Sequence, residues 1–202
     1  MKKKYSEDLK EIKDIMNRTS RFIPLSGLSG VSTGITALAG AFFAHQYVFK
    51  DQQYLVNDAV DLSNEMQGYL LVIAILTLIA ALFNATFFTG IKAKRLNMSI
   101  WDFQSKRLLI NLLIPMATGG IFSLMLLQKG YIGFLPSITL IFYGLALVNG
   151  SKYTFPELRI LGIIEILLGL AAFQFIEKSL LIWAAGFGVI QIIYGLIIQR
   201  KY

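Results

Sequence analysis

The chain has no cysteine, a single histidine and only 12 acidic residues among 202. Without cysteine there is no disulfide framework, no thiolate metal site and no thiol nucleophile. With His45 as the sole imidazole, most histidine-based metal sites and acid–base dyads are excluded. Charge of either sign is scarce: charged residues make up 15% of the chain, where an average soluble domain carries roughly 25%.

Apolar residues fill the space that charge leaves. Hydrophobic residues account for 55% and mean hydropathy is +0.62. These figures exclude a disordered chain, a nucleic-acid-binding domain and an ordinary soluble enzyme. They point to a polytopic membrane protein. A net charge of +7 is compatible with a nucleic-acid partner, but the distribution argues against one. The basic residues form short blocks beside long apolar runs, as cytoplasmic membrane loops do.

A bilayer core about 30 Å thick needs about 20 apolar residues of helix. Six segments qualify, roughly 22–49, 68–91, 108–127, 131–149, 156–176 and 179–198. Backbone groups in lipid must bond within their own segment, so the spans read as helices. The expected fold is all-α, with a cytoplasmic amphipathic segment (1–20) before a six-helix transmembrane domain (21–202). The first run is too long for a cleaved leader and follows about 20 mixed-charge residues, so it reads as a retained span. With the N-terminus inside, 16 of the 19 Lys and Arg residues fall on the cytoplasmic side. Only Lys50, Lys129 and Lys178 fall outside. Both termini are therefore expected in the cytoplasm.

Several segments lie beyond the spans. In residues 5–19, Leu9, Ile12, Ile15 and Met16 share one helical face amid charges. That pattern suits a short helix on the inner membrane surface, or a docking helix for a cytoplasmic partner. In the first outer loop, Asp58, Asp61 and Glu65 fall on one side of a helix. Three carboxylates can hold a cation through oxygen. The apolar residues opposite them explain the spacing as a helix with one wet face, so no metal site is assigned. Ser99 and Asp102 have capping-box spacing ahead of the third span, with Trp101 as an interfacial anchor.

The last four spans show weak internal similarity. At an offset of 49, Gly120 meets Gly169, Gln128 meets Glu177 and Lys129 meets Lys178. At an offset of 51, Phe142-Tyr143-Gly144-Leu145 meets Ile193-Tyr194-Gly195-Leu196. Two parallel hairpin repeats and chance likeness between Leu- and Ile-rich hairpins both account for this.

Small residues mark where membrane helices approach closely. Ser26, Gly30, Thr33, Ala37, Gly40 and Ala44 form such a stripe in the first span, with Gly27 and Gly34 beside it. Gly162, Glu165, Gly169 and Ala172 form one in the fifth, and Ala184, Gly188, Gln191 and Gly195 one in the sixth. The last two stripes are expected to face each other. Pro115 and Pro136 are candidate kinks in the third and fourth spans. Asn84, Asn111, Asn149 and Gln174 read mainly as helix-linking amides.

Glu165 stands apart. A charged carboxyl at mid-span facing lipid costs several kcal/mol, so such groups face the bundle interior and often mark function. Gln191 lies at similar depth on the sixth span and is the expected hydrogen-bond partner, with Tyr194 the second candidate. Either Glu165 couples to a proton or cation in a water-reachable cavity, or it stays protonated and links helices.

Gly27-Leu28-Ser29-Gly30 matches the GxSG string of intramembrane rhomboid proteases. That mechanism needs a histidine beside the serine. His45 lies 16 residues further along the same span, about 24 Å away. No phosphate-binding glycine loop and no histidine pair for zinc is present. No catalytic residue, metal or cofactor is therefore assigned, and the chain is not expected to be an enzyme.

The stretch Ser20-Arg21-Phe22-Ile23-Pro24-Leu25-Ser26-Gly27-Leu28-Ser29-Gly30-Val31 resembles the opening of a group of small bacterial six-span integral membrane proteins. The likeness covers about 30 residues, with a matching hydropathy profile over the rest. No activity is established for that group, so the resemblance implies only a bacterial inner-membrane location. The expected function is a small transporter or channel-like protein for a small solute or ion, with Glu165, Gln191 and Tyr194 at its cavity. The alternative is a non-catalytic interaction or regulatory protein acting through residues 1–19 and the basic loop from Lys92 to Arg107. The bilayer is the first expected partner. A second copy of the chain, or another membrane or cytoplasmic protein, is also compatible with this size.

Overall fold

The computed structural model describes residues 26–50, 63–96 and 103–201, and over them the chain is helical. Six helices follow in order: α1 (Gly27–Tyr47), α2 (Asn64–Arg95), α3 (Phe103–Gln128), α4 (Ile132–Tyr153), α5 (Glu157–Gln174) and α6 (Ile176–Lys201). Five of them (α1, α2, α3, α4 and α6) are long and apolar enough to cross a membrane. The remaining helix, α5, has 18 residues and carries Glu157, Arg159 and Glu165. The expected N-terminal amphipathic helix, Asp58, Asp61 and the capping box at Ser99 lie outside the described residues.

Helix boundaries follow local chemistry. Ser63 caps α2, its side chain accepting from the Met66 N–H at 3.3 Å. Lys92, Lys94 and Arg95 close that helix, where cations complement the exposed carbonyls. At 32 residues, α2 outruns the expected span at both ends. Gly130 supplies the one positive φ among the described residues, 79°, in the tight turn between α3 and α4. Pro136 is not a kink. It occupies the first turn of the regular α-helix Leu135–Gly150, where a missing N–H costs nothing. Pro115 does lie inside α3.

Two apolar clusters fix the direction of the helices. One joins the end of α1 (Ala44, Val48), the end of α3 (Leu127) and the starts of α2 (Met66), α4 (Ile132) and α6 (Leu180). The other joins the end of α4 (Leu147), the starts of α3 (Leu112) and α5 (Leu158, Leu161), and Ile190 and Tyr194 of α6. Consecutive helices therefore run up and down. Laterally, α4, α5 and α6 pack on one another, α1 packs on α6 and α2, and α3 packs on α4. The outward faces of α2 and α3 expose Ile75, Ile79, Phe83, Leu113, Ile114 and Ile121. A row of large apolar side chains on membrane-length helices suggests contact with a lipid bilayer.

The glycine stripes are close-packed but differ from expectation in partner. A Cβ at Gly162 would lie 2.7 Å from the Gly144 carbonyl, and one at Gly169 would lie 2.6 Å from Ile141. The α5 stripe therefore meets α4. A Cβ at Gly195 would lie 2.6 Å from the Gly27 carbonyl, one at Gly30 would lie 2.9 Å from Gly195 Cα, and one at Gly34 would lie 2.7 Å from the Gly188 carbonyl. The α6 stripe therefore meets α1. A stripe of small residues states that a backbone approaches, and the chain order alone does not say whose.

The proposed repeat is uneven in space. Gly120 faces open space while its counterpart Gly169 is packed against α4. Gly144 and Gly195, by contrast, are both helix-crossing points.

Candidate functional site

Polar groups inside the bundle are mostly paired across helices. Asn84 of α2 donates to Thr36 Oγ1 of α1 at 3.0 Å. Asn149 of α4 donates to Asn111 Oδ1 of α3 at 3.1 Å and to its carbonyl at 3.2 Å. Ser137 of α4 donates to the Gly169 carbonyl of α5 at 2.7 Å. These are the links expected of polar side chains in an apolar surround. Gln174 is instead exposed at the end of α5. Ser29 is partly buried and bonded within α1, while His45 lies exposed in its last turn.

Glu165 breaks this pattern. It sits at the centre of α5 and is 0% exposed. Neither carboxyl oxygen has a hydrogen-bond partner. Its Oε2 points at the backbone of Gly186, where a Cβ would come within 2.5 Å of it. The same space beside Gly186 is bounded by Leu140 and Leu168. Only glycine fits opposite this carboxyl.

The facing part of α6 is irregular. Ala184–Ile190 is π-helical, between α-helical Ser179–Trp183 and Gln191–Lys201. π-helical turns are rare and are frequent at functional sites. This one contains Gly186, against Glu165, and Gly188, against Leu38 of α1. It also carries Phe187, which joins an aromatic ladder. Phe187 lies 4.8 Å from Trp183 and 4.6 Å from Tyr143 of α4, centroid to centroid. Trp183 Nε1 donates to Thr139 Oγ1 at 3.0 Å, which ties the ladder to α4.

The predicted Gln191–Glu165 hydrogen bond is not formed. Gln191 Oε1 instead accepts from the Tyr143 hydroxyl of α4 at 3.4 Å. Counting 1.5 Å per residue fixes depth along a helix but not which neighbour a side chain meets. Neither Gln191 nor the second candidate, Tyr194, bonds the Glu165 carboxyl. Tyr143, Trp183 and Phe187 escaped the sequence reading as site residues. The Tyr-Gly-Leu similarity had marked Tyr143 and Tyr194 as a pair, and that was the available signal.

Lys201 and Glu157 form an ion pair that ties the end of α6 to the start of α5. Among the described residues there is no group of three or more His, Cys, Asp or Glu side chains able to hold a metal ion. No protein-family model, no curated protein and no solved structure matches the chain.

Proposed function

We propose that the protein is a small six-span transporter of the bacterial inner membrane, with both termini cytoplasmic and Glu165 as its proton-exchanging group. Charge placement supports the topology. Lys92, Lys94, Arg95, Lys152, Arg200 and Lys201 belong to one end of the up-and-down bundle, and Lys50, Lys129 and Lys178 to the other. In this reading α5 also crosses the membrane and completes the six spans. Its 18 residues reach about 27 Å, and burial of Glu165 against α4 and α6 removes the obstacle that a mid-helix carboxyl presents.

One observation carries the functional reading: a fully buried carboxyl with no hydrogen-bond partner, pressed against a π-helical turn. A carboxyl retained to link helices is expected to bond across them, as Asn84, Asn149 and Ser137 do. Glu165 links nothing in this way. A neutral carboxyl tolerates such a site and a carboxylate does not, unless a cation or water arrives with it. The group therefore suits a cycle in which the proton is held while the site is closed and released when it opens. Glu165 holds the proton, and Gly186 leaves room for its carboxyl.

Labelling with dicyclohexylcarbodiimide tests this. The reagent is apolar, and a protonated carboxyl gives it a proton and adds through oxygen to its central carbon. Labelling of membranes is expected at Glu165, absent in Glu165→Gln, and declining as pH rises between about 5 and 9, the range of shifted buried carboxyls. Labelling at Glu165 that is constant across that range means the group does not communicate with water. The coupling role is then wrong, and action through a cytoplasmic partner becomes the leading account.

A further inference from the structure

Two of the helix crossings are one crossing repeated, contact for contact. A Cβ at Gly144 would meet the Gly162 carbonyl and the Ile166 amide nitrogen, and one at Gly195 the Gly27 carbonyl and the Val31 amide nitrogen. A Cβ at Gly162 would meet the Gly144 carbonyl and the Val148 amide nitrogen, and one at Gly27 the Gly195 carbonyl and the Gln199 amide nitrogen. One step further along, Gly169 faces Ile141 and the Ser137 carbonyl, as Gly34 faces Ile192 and the Gly188 carbonyl. Each of these α4 residues stands 51 positions before its α6 counterpart, and each α5 residue 135 positions after its α1 counterpart. The α4–α5 and α6–α1 pairs are therefore one packing unit used twice, as in parallel repeats.

The described helices form three antiparallel pairs, α1–α2, α3–α4 and α5–α6. In both crossings the second helix of one pair lies on the first helix of another. One helix of each kind is left over, α2 and α3. Among the described residues these are also the two helices with a single packed neighbour each, α1 and α4. The rotation of α3 suits a third crossing. At the offset of 49, Gly119 and Gly120 match Leu168 and Gly169. Leu168 reaches Gly186 of its pair-mate α6, and Gly119 meets Phe142 of its pair-mate α4. Both helices thus turn the same side to their own pair-mate. Gly169 then faces the neighbouring pair, whereas Gly120 faces open space.

We propose that the Gly120 face of α3 is covered by α2 of a second copy of the chain, in a two-fold dimer about an axis along the membrane normal. Such an axis keeps the direction of every helix. The second copy's α2 then runs opposite to α3, as α4 does to α5 and α6 to α1. A two-fold contact also uses both open faces at once, since each copy gives its α2 and receives on its α3. The faces are complementary. On α3, Gly120 and Ala117 are exposed beside Leu113 and Leu124. On α2, Val72, Ile75 and Ile79 are each more than half exposed. The chain's own α2 is held elsewhere: Asn84 donates to Thr36, and Gly40 packs against Thr77, both on α1. The two Asn149–Asn111 bonds likewise hold α3 to α4. Lipid tails are as apolar as leucine, so bulk alone drives no helix together, while close backbone approach at small residues does. Such a pair dissociates on dilution, so at many detergent micelles per chain the single copy is what unfolds.

The test uses the full-length chain in native membranes. The chain has no cysteine, so introduced thiols report single contacts. Two differently tagged chains are co-expressed, one with Gly120→Cys and one with Ile75→Cys, and oxidised with copper phenanthroline. Counted from Leu127 and Met66 of the shared outer cluster, the two positions lie within about 3 Å of the same depth. A disulfide needs the two Cα atoms within about 7 Å. A dimer band carrying both tags is expected. Ile121→Cys with Ile75→Cys is the control, turned about 100° round α3, and is expected to give no such band. In sparsely loaded vesicles, dye-labelled wild type is expected to bleach in two steps and Gly120→Leu in one. The fold of Gly120→Leu is checked by circular dichroism; in a single copy nothing lies within 4 Å of its Cβ position. If the disulfide forms only within a chain carrying both cysteines, the chain's own α2 covers the face and the proposal falls. One-step bleaching of wild type with no disulfide leaves the face to lipid and also overturns it. So does two-step bleaching of Gly120→Leu, or a dimer that joins through Ile121→Cys as readily as through Gly120→Cys. None of these outcomes bears on Glu165, whose proton exchange is read separately.

Discussion

Replacing Gly144 with alanine is expected to loosen the α4–α5 contact, and the structure sets the size of the effect. The added Cβ would stand 2.5 Å from the Gly162 carbonyl and 2.9 Å from the Ile166 amide nitrogen, where ordinary contact begins at 3.4 Å. Both neighbours are backbone, so no rotamer change relieves the clash. The helices must part by about 1 Å, a gap that forfeits a quarter to a half of each dispersion contact it opens. Overpacking of this kind costs about 1–3 kcal/mol. Alanine recovers up to about 1 kcal/mol through its better helix propensity. The net loss is then up to about 2 kcal/mol, or up to roughly thirtyfold in the unfolding equilibrium. Gly120→Ala is the matched control, because nothing lies within 4 Å of its Cβ position. It is expected to be neutral or stabilising. Reversible unfolding in mixed micelles, followed by far-ultraviolet circular dichroism, compares the two. Equal stabilities for Gly144→Ala and Gly120→Ala, within about 0.5 kcal/mol, would refute the packing assigned to α4 and α5.

Glu165→Gln is expected to fold with unchanged or slightly higher stability, because no hydrogen bond to the carboxyl is lost; a large loss in the same assay would show that the carboxyl links helices after all. Asn149→Ala removes the two bonds to Asn111 and is expected to cost about 0.6–2 kcal/mol, and Asn111→Ala, added to it, is expected to cost less than it does alone. Gly186→Ala places a methyl against Glu165 Oε2 and is expected to abolish the closed state, seen as faster hydrogen–deuterium exchange of the α6 amides from residue 184 to 190. Cysteines placed at Lys129 and at Lys201 are expected to react with a membrane-impermeant maleimide from outside only and from inside only, respectively; the reverse pattern inverts the topology.

Hydropathy alone located all six described helices to within a few residues, because burial of backbone polar groups leaves helices as the available solution for long apolar runs. It also marked Glu165, since a carboxyl inside a long apolar run is conspicuous in composition. Neighbour identity was not legible. Gly162 and Gly169 signalled a close approach, yet α4, not α6, receives them. Gln191 was expected to bond Glu165, and its partner is Tyr143. Both errors have one origin: spacing along a helix encodes a face, while rotation of that face toward a neighbour is decided by the whole bundle. The π-helical turn was invisible for a related reason. Ala184-Ala185-Gly186-Phe187-Gly188 has the composition of any flexible apolar stretch, and the extra residue in the turn shows only in the backbone. The Tyr-Gly-Leu similarity carried more than was read from it, since both its glycines are crossing points.

The central claim is that Glu165 is buried, protonated and exchangeable. An infrared pH titration of the carboxyl stretch in lipid, wild type against Glu165→Gln, addresses it directly. The account predicts a band absent from the variant that titrates between about pH 5 and 9 and shifts in deuterium oxide. A band that stays protonated throughout, with no deuterium shift, would contradict it.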